Sequence, residues 1–400
     1  MYFPRKLIKA TAFLLFILIF LSSCSKKASI NTDITLAETT IETEKSSTTS
    51  ETTIPETTET TTAETTFFEA EKPESEGALN PITGEMTMDK ANIGKRSFTV
   101  VINNAKAAIP SRGVTSADAI YEYETEGGQT RLLALFADVN MIPEIGSLRS
   151  ARIIATDLSA GTNSIFVHYG ENKRVPAHIS EIGLSHIDGN VMSRNSGKSD
   201  ENGMIELPAN FYFWRDDDWK AKRALEHTAV SNGSYLLKAA QERNVGWEGE
   251  TPPLFPFSDD ANNILAKGEG CKELIIRFSS TNPDSTFTYD PDSKSYFKSE
   301  YGSPQIDETT EEQISVKNIL VLFTKITSHG DTTIDVWLSE GGQGYYASEE
   351  KIIPITWTKA DSNAPIVIAD ENGTPIPVLP GKSYINIVRN TAAEQTKWSA

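Results

Sequence analysis

Hydrophobic positions fall along this chain in three regimes. A dense run comes first: Ala12 to Leu21 is almost unbroken, with Phe13, Leu14, Leu15, Phe16, Ile17, Leu18, Ile19 and Phe20 in succession. From Ala28 to Glu76 apolar residues nearly vanish, and Thr, Glu and Ser replace them. From Asn80 onward they return in short clusters between polar turns, the pattern of a globular body.

Within that body the clusters predict particular elements. Ser97–Asn103 carries Phe98, Val100, Val101 and Ile102 and reads as a strand; Ala119–Glu126 sets Ile120, Tyr121 and Tyr123 among acids. Arg131–Val139 adds Leu132, Leu133, Leu135 and Phe136, and Ser164–Tyr169 reads as a buried strand. Helices are predicted over Ser150–Ala160, Val175–Ile182 and Ser234–Arg243, the last after the polar Ser231-Asn232-Gly233. Strands interleaved with helices predict a layered α/β domain over residues 80–250. Beyond about Thr251 the runs Leu274–Phe278, Ile314–Ile326, Ile334–Leu338, Ile352–Trp357, Ile366–Ala369 and Tyr384–Val388 are β-like. Turn clusters separate them at Asn282-Pro283-Asp284, Asp290-Pro291-Asp292, Gly341-Gly342-Gln343-Gly344 and Asn372-Gly373. The fold class is therefore α/β, with a layered α/β N-terminal domain followed by a β-rich domain over 251–400.

The chemistry around the first apolar run gives it a meaning. Arg5, Lys6 and Lys9 precede it and Leu21-Ser22-Ser23-Cys24 follows. A positive start and an apolar stretch of about 7–15 residues make a signal peptide, here residues 1–23, rather than a membrane span. The Leu-Ser-Ser-Cys ending resembles a bacterial lipobox, which makes Cys24 the lipid attachment site. The other cysteine, Cys271, then has no internal partner, so the exported body relies on its core instead of a disulfide.

The Thr/Glu stretch is expected to be a disordered tether over residues 24–79, because it buries too little to offset its ordering entropy. As a flexible coil it spans about 35–45 Å on average. Charge is divided unevenly along the chain, whose formal net charge is −18. Arg5, Lys6, Lys9, Lys26 and Lys27 contribute five positive charges, while residues 28–76 hold twelve acids against Lys45 and Lys72. Thirteen net negative charges remain on the body. Such a surface repels nucleic acid and anionic lipid, so the membrane is met only through the lipid on Cys24.

Several ordered blocks carry a resemblance. Val100-Val101-Ile102-Asn103-Asn104, Ser116-Ala117-Asp118-Ala119-Ile120-Tyr121-Glu122, and Glu126-Gly127-Gly128-Gln129-Thr130-Arg131 come first. Ile145-Gly146-Ser147-Leu148-Arg149-Ser150-Ala151-Arg152, Val167-His168-Tyr169-Gly170 and Phe213-Trp214-Arg215-Asp216 follow in the same order. Together with Ile314–Val321 and Pro380-Gly381-Lys382, they resemble the YerB-like bacterial lipoproteins from Asn80 to Arg389. The chain departs from that pattern at Gly170-Glu171, where the family tends to have two glycines. It departs again at Glu226-His227-Thr228-Ala229-Val230, which keeps a histidine and lacks an aromatic. The resemblance implies architecture and location, and no activity.

Motifs for catalysis fail on spacing. Gly197-Lys198-Ser199 and Gly381-Lys382-Ser383 have Met192 and Ile376 where a phosphate loop needs glycine. The five histidines include no His-Glu-x-x-His pair, and a calcium loop from Asp290 reaches Tyr301 at its twelfth position. No Gly-x-Ser-x-Gly occurs. The expectation is no cofactor, no metal and no catalytic residue.

One polar constellation remains. Arg149 and Arg152 share a face if the predicted helix begins at or before them. His168 ends a buried strand, and Arg215 and His227 lie in other matched stretches, with Asn103 next to last in the first block. Arginines and histidines clustered in an acidic body would hold a carboxylate, phosphate or sulfate. The competing structural reading pairs these arginines with Glu122, Glu124 or Glu126. The preferred function is thus a lipid-anchored extracytoplasmic envelope protein binding a partner or an anionic ligand. One alternative is an extracellular hydrolase of wall glycan or peptide using Glu124, Glu126 or Asp216; the other is a solute-binding lipoprotein.

Overall fold

Phe98–Asn103 forms strand β1 and is buried on both faces, which explains its continuous apolar run. Strands β2 (Ala119–Glu124) and β3 (Thr130–Phe136) are buried throughout in the same way. After β4 (Ile145–Gly146) come α1 (Ile153–Ala160), β5 (Ile165–His168), α2 (Val175–Ile182) and β6 (His186–Asp188). The computed structural model describes residues 77–193, 198–199, 205–206 and 211–400. The expected signal peptide, Cys24 and the tether as far as Glu76 lie outside the described residues, as does Gly197 of the first Gly-Lys-Ser. Of the tether's last residues, Ala78 is bridged to Met88 and so already belongs to the body.

Among the described residues the main sheet has eleven strands and draws on both sequence regions. Its order runs Glu269–Gly270, Lys351–Thr358, Gly342–Ser348, Asn318–Thr324, Ser383–Arg389, β2, β3, β1, β5, β6, with Val367–Ala369 beside Lys351–Thr358. The strand Ser383–Arg389 lies parallel to β2, with Ala119 opposite Ser383, and parallel to Asn318–Thr324 on its other side. The compositional change near residue 250 therefore does not coincide with an edge of this sheet.

Each face of the sheet is covered. On one, α1 and α2 bury Ile154, Ala155, Leu158, Val175 and Ile179 against Val101, Leu133 and Phe166. On the other, a six-stranded antiparallel sheet brings Leu274, Ile276, Phe287 and Tyr296 against Ile120, Val321 and Tyr384. The helix Gly233–Glu242 packs on that second face beside Val139 and Ile142, and Asn232 Oδ1 caps it by accepting from Tyr235 N at 3.0 Å. The fold is α/β, with the main helices in the first region and strands dominating the second. Among the described residues no helix is long and apolar enough to cross a membrane.

Where the two sheets meet, a fully buried polar network replaces apolar packing. Lys298 lies between Glu122 at 3.5 Å, Glu300, and Gln305 Oε1 at 2.7 Å. Glu122 also accepts from Tyr384 Oη at 2.7 Å and Asn104 Nδ2 at 3.0 Å, and Ser285 Oγ donates to Glu300 at 2.7 Å. Burial, helped by Glu122, raises the Glu300 carboxyl above its ordinary range despite Lys298.

Three elements differ from their sequence patterns. The first helix begins at Ile153, and Arg152 is its N-cap in extended backbone (φ −132°). Arg149 and Arg152 consequently share no helical face. Gly342–Gly344, read as a turn, opens a strand, because a Cβ on Gly342 would sit 2.1 Å from Phe323 O. The hairpin Ser285–Asp290/Ser295–Glu300 escaped the pattern because polar Ser285, Lys298 and Glu300 share its buried positions with Phe287 and Tyr296, although its turn at Asp290-Pro291-Asp292 was legible.

Candidate functional site: the carboxyl edge of the sheet

Strands β1, β2, β5, β6, Asn318–Thr324 and Ser383–Arg389 all run in one direction. Their carboxyl ends therefore share one edge, the edge at which open α/β sheets present ligand-binding groups. Asn103, Glu124, His168, Asp188 and Arg389 end their strands there. Arg131 joins them from the start of antiparallel β3, opposite Asn103. Beyond Val100, β1 and β5 part and the segment Ser147–Ala151 fills the fork. Asn103 N donates to Ser147 O at 2.8 Å, Arg149 N to Val101 O at 3.0 Å, and Tyr169 N to Arg149 O at 3.0 Å.

A small sheet brings the remaining candidates to this fork. Trp214–Arg215 pairs with Ala229–Ser231, which pairs with β4. Arg149 Nη1 donates to Glu226 O at 3.2 Å, with Glu226 Oε1 3.7 Å from its Nη2. Arg215 donates to the neighbouring Leu225 O and lies over the Tyr169 ring, 4.4 Å from its centre. His227 turns inward, where Asn103 Nδ2 lies 2.7 Å from its Nδ1. The Asn103 amide oxygen accepts from Ala105 N, so its nitrogen is the donor and His227 Nδ1 the acceptor. The His227 proton is thereby fixed on Nε2. Burial lowers the His227 pKa, and Arg149 adds to that.

Positive charge outweighs its local partners here. Burial lowers the Arg149 pKa, Glu226 opposes the shift, and Arg152 and Arg215 reinforce it. Its Nε is buried without an acceptor among the described residues. Behind it Arg131, which sequence reasoning passed over, is 7% exposed and donates to Ser150 O. Burial pushes its pKa down to about 9, with Arg152 contributing.

The other sequence candidates go elsewhere. Arg152 Nε donates to Glu126 Oε1 and Oε2 at 2.6 and 2.8 Å. Burial would raise Glu126, but the Arg152 bonds and charge outweigh it and hold the carboxyl below its ordinary range. Glu124 is held by Arg389 and Glu122 by Lys298, so of the proposed structural pairings only Arg152–Glu126 joins a candidate arginine to one of these acids. Asp216 caps a short helix through Trp219 N at 2.8 Å and accepts from Arg112 at 2.9 Å. Those bonds outweigh burial and lower its pKa. Each acid that a hydrolase would need is thus clamped by an arginine. A groove of about 370 Å³ beside Arg152 shows the same pattern: Asp335, facing Arg174 and His329, is bonded to both.

His168 belongs to a separate group. It precedes Tyr169, so the two side chains leave opposite sides of the chain. Its ring stacks between Phe166 and His186 at 5.1 and 5.3 Å. Nδ1 lies 2.8 Å from Gly170 O and Nε2 3.0 Å from His186 Nδ1. A carbonyl only accepts, so the proton is on Nδ1 and His186 Nδ1–H donates to Nε2. Burial lowers the His168 pKa to about 4, against the pull of Asp188 and the Gly170 bond. Glu171 and Asp188 complete the group: their ligand atoms and that of His168 lie within 4.8 Å of one another. The sequence showed His168 and Glu171 three apart, but not that β6 would bring Asp188 beside them.

Comparison with known proteins fits this architecture. Residues 82–246 match the model described as "Protein of unknown function (DUF3048) N-terminal domain", and residues 274–385 match that of the C-terminal domain. The chain belongs to this two-part family of unknown function. It is similar to the Bacillus subtilis (strain 168) protein named "Putative lipoprotein YerB", at 28% identity over 314 residues, covering 77% of this chain and 85% of that one. The crystal structure of the Bacillus subtilis YerB protein superposes with a TM-score of 0.67 at 25% identity, covering 80% of this chain and 99% of that one.

Proposed function

We propose that this protein is lipid-anchored through Cys24 on the outer face of the cytoplasmic membrane and binds an anionic ligand, or an anionic group of an envelope partner, at Arg149, Arg215 and His227. Similarity to a lipoprotein supports the anchor. The single observation behind the ligand is the buried Arg149 Nε, a charged donor without an acceptor among the described residues. A guanidinium in that state costs free energy unless something accepts from it. The nearby Arg131, Arg152 and Arg215 would stabilise an incoming anion further. The clamped carboxylates give the hydrolase alternative no support, and one shared sheet gives none to a two-lobed solute-binding protein.

Thermal melts of the full chain in detergent test the anion site. Millimolar phosphate or sulfate is expected to raise the melting temperature through preferential binding to the folded state. The rise should disappear in Arg149→Ala and Arg215→Ala. An equal rise in those variants, or none in the parent beyond that seen with chloride at matched ionic strength, refutes the site. The anchor has its own test in cells: Cys24→Ser should lose fatty-acid labelling and move to the aqueous phase on detergent partitioning. A variant that still labels refutes lipidation at Cys24.

A further inference from the structure

We infer that His168 Nδ1, the carbonyl oxygen of Gly170, and the carboxylates of Glu171 and Asp188 form a site for one divalent transition cation of the Zn²⁺ or Mn²⁺ class. Spacing is the first argument. Gly170 O, Glu171 Oε2 and Asp188 Oδ1 lie 2.8, 3.5 and 3.8 Å from His168 Nδ1. Donors about 2.1 Å from a common ion, at tetrahedral or octahedral angles, stand roughly 3.0–3.5 Å apart. Small side-chain adjustments at Glu171 and Asp188, with a turn of the Gly170 carbonyl off the Nδ1 axis on which it now accepts a proton, therefore bring the set into coordination.

Local backbone structure builds this arrangement. Gly170 adopts φ +75°, a conformation that favours glycine and carries the chain around so that Glu171 comes back toward the end of β5. Parallel pairing places Asp188 opposite His168, and Gly170 N and Asn190 N both donate to Asp188 Oδ1, at 2.8 and 2.9 Å. The imidazole is held by Phe166 and His186, and His186 supplies the outer hydrogen bond that orients a ligating histidine.

Charge is the second, independent argument. Two carboxylates converge on one imidazole, and among the described residues no lysine or arginine pairs with either of them. A divalent ion supplies the missing countercharge. One imidazole nitrogen with three hard oxygens suits Zn²⁺ or Mn²⁺ better than a soft metal, and the nitrogen disfavours Ca²⁺ and Mg²⁺. Proton bookkeeping closes as well. On binding, His168 moves its proton from Nδ1 to Nε2, which then donates to His186 Nδ1; His186 carries its own proton on Nε2, and both rings stay neutral. Glu171 is exposed, so the site is open to solvent.

The test uses the full chain without a histidine tag, stripped with EDTA and titrated calorimetrically with ZnCl₂, MnCl₂ and MgCl₂. Saturable binding of one equivalent of Zn²⁺ or Mn²⁺ is expected, with Mg²⁺ at least tenfold weaker and a higher melting temperature in the loaded protein. His168 is buried and its replacement disturbs packing, so the deciding variants are Glu171→Ala and Asp188→Asn, checked for a parental far-UV spectrum. Each should weaken binding tenfold or more, and Arg149→Ala should leave it unchanged. No saturable binding of either ion, or parental affinity in Glu171→Ala, overturns the assignment. The anion site stands or falls separately.

Discussion

Lys298 is fully buried with two glutamates, and its replacement tests what the network between the sheets contributes. Replacing it with methionine keeps most of the volume but leaves carboxyl groups without a cation. Breaking a buried ion pair from one side costs about 3–5 kcal/mol. The sign of the pH dependence follows from Glu300, whose carboxyl is raised by burial even with Lys298 present. Without the lysine, the folded variant binds more protons than the unfolded chain across the carboxylate range. Its stability therefore falls as pH rises and recovers on acidification. Urea melts of Lys298→Met at pH 7 and pH 5 should show most of the deficit at pH 7. An equal deficit at both would mean that lost packing, rather than stranded charge, is the cause. Legibility was partial at this scale. Asn103, Arg149, Arg215 and His227 were named from sequence and do converge, because they sit in matched blocks that end strands or flank them. Arg152 was named with them but points to Glu126, since helix α1 starts only at Ile153, past both arginines, and gives them no shared face.

At the scale of elements, the pattern reads well where burial is one-sided or complete and poorly where the backbone itself is crowded. Val175–Ile182 matches its predicted helix, and β1 to β3 match within a few residues, because apolar periodicity is the force that forms them. Gly342–Ser348 was hidden by its glycines. Gly342 and Gly344 are there because Phe323 O and Val321 O approach from the neighbouring strand, to 2.1 and 2.4 Å of a would-be Cβ. A sequence shows the glycine and not what approaches it. β6 was missed for a different reason. It has three residues, only Ile187 is buried, and its place is set by pairing with β5 instead of by its own pattern. The His168 group depends on that pairing, so it was the part of the edge least visible beforehand.

At the scale of the molecule, the main sheet joins what composition divides. Residues 80–250 alone would leave β2 with an open edge from Ala119 to Tyr123, where Ser383–Arg389 docks. An exposed apolar edge of that kind invites association with other chains. Expressed alone, the 80–250 fragment is expected to aggregate or unfold without cooperativity, and co-expression with 251–400 should restore a single sharp transition. A cooperative melt from the first fragment by itself would show that the second region is not needed for its folding. The position of Ser383–Arg389 also sets a timetable. This strand sits in the middle of the sheet, and Tyr384 bonds Glu122 across 262 residues of chain. Contacts of such long range are slow to form, and here the central partner leaves the ribosome after nearly everything it holds together. On the proposed route of export, a chain gains from this delay before folding. Until its last strand has been made, the sheet has no middle, and the strands on either side of the gap cannot close on one another.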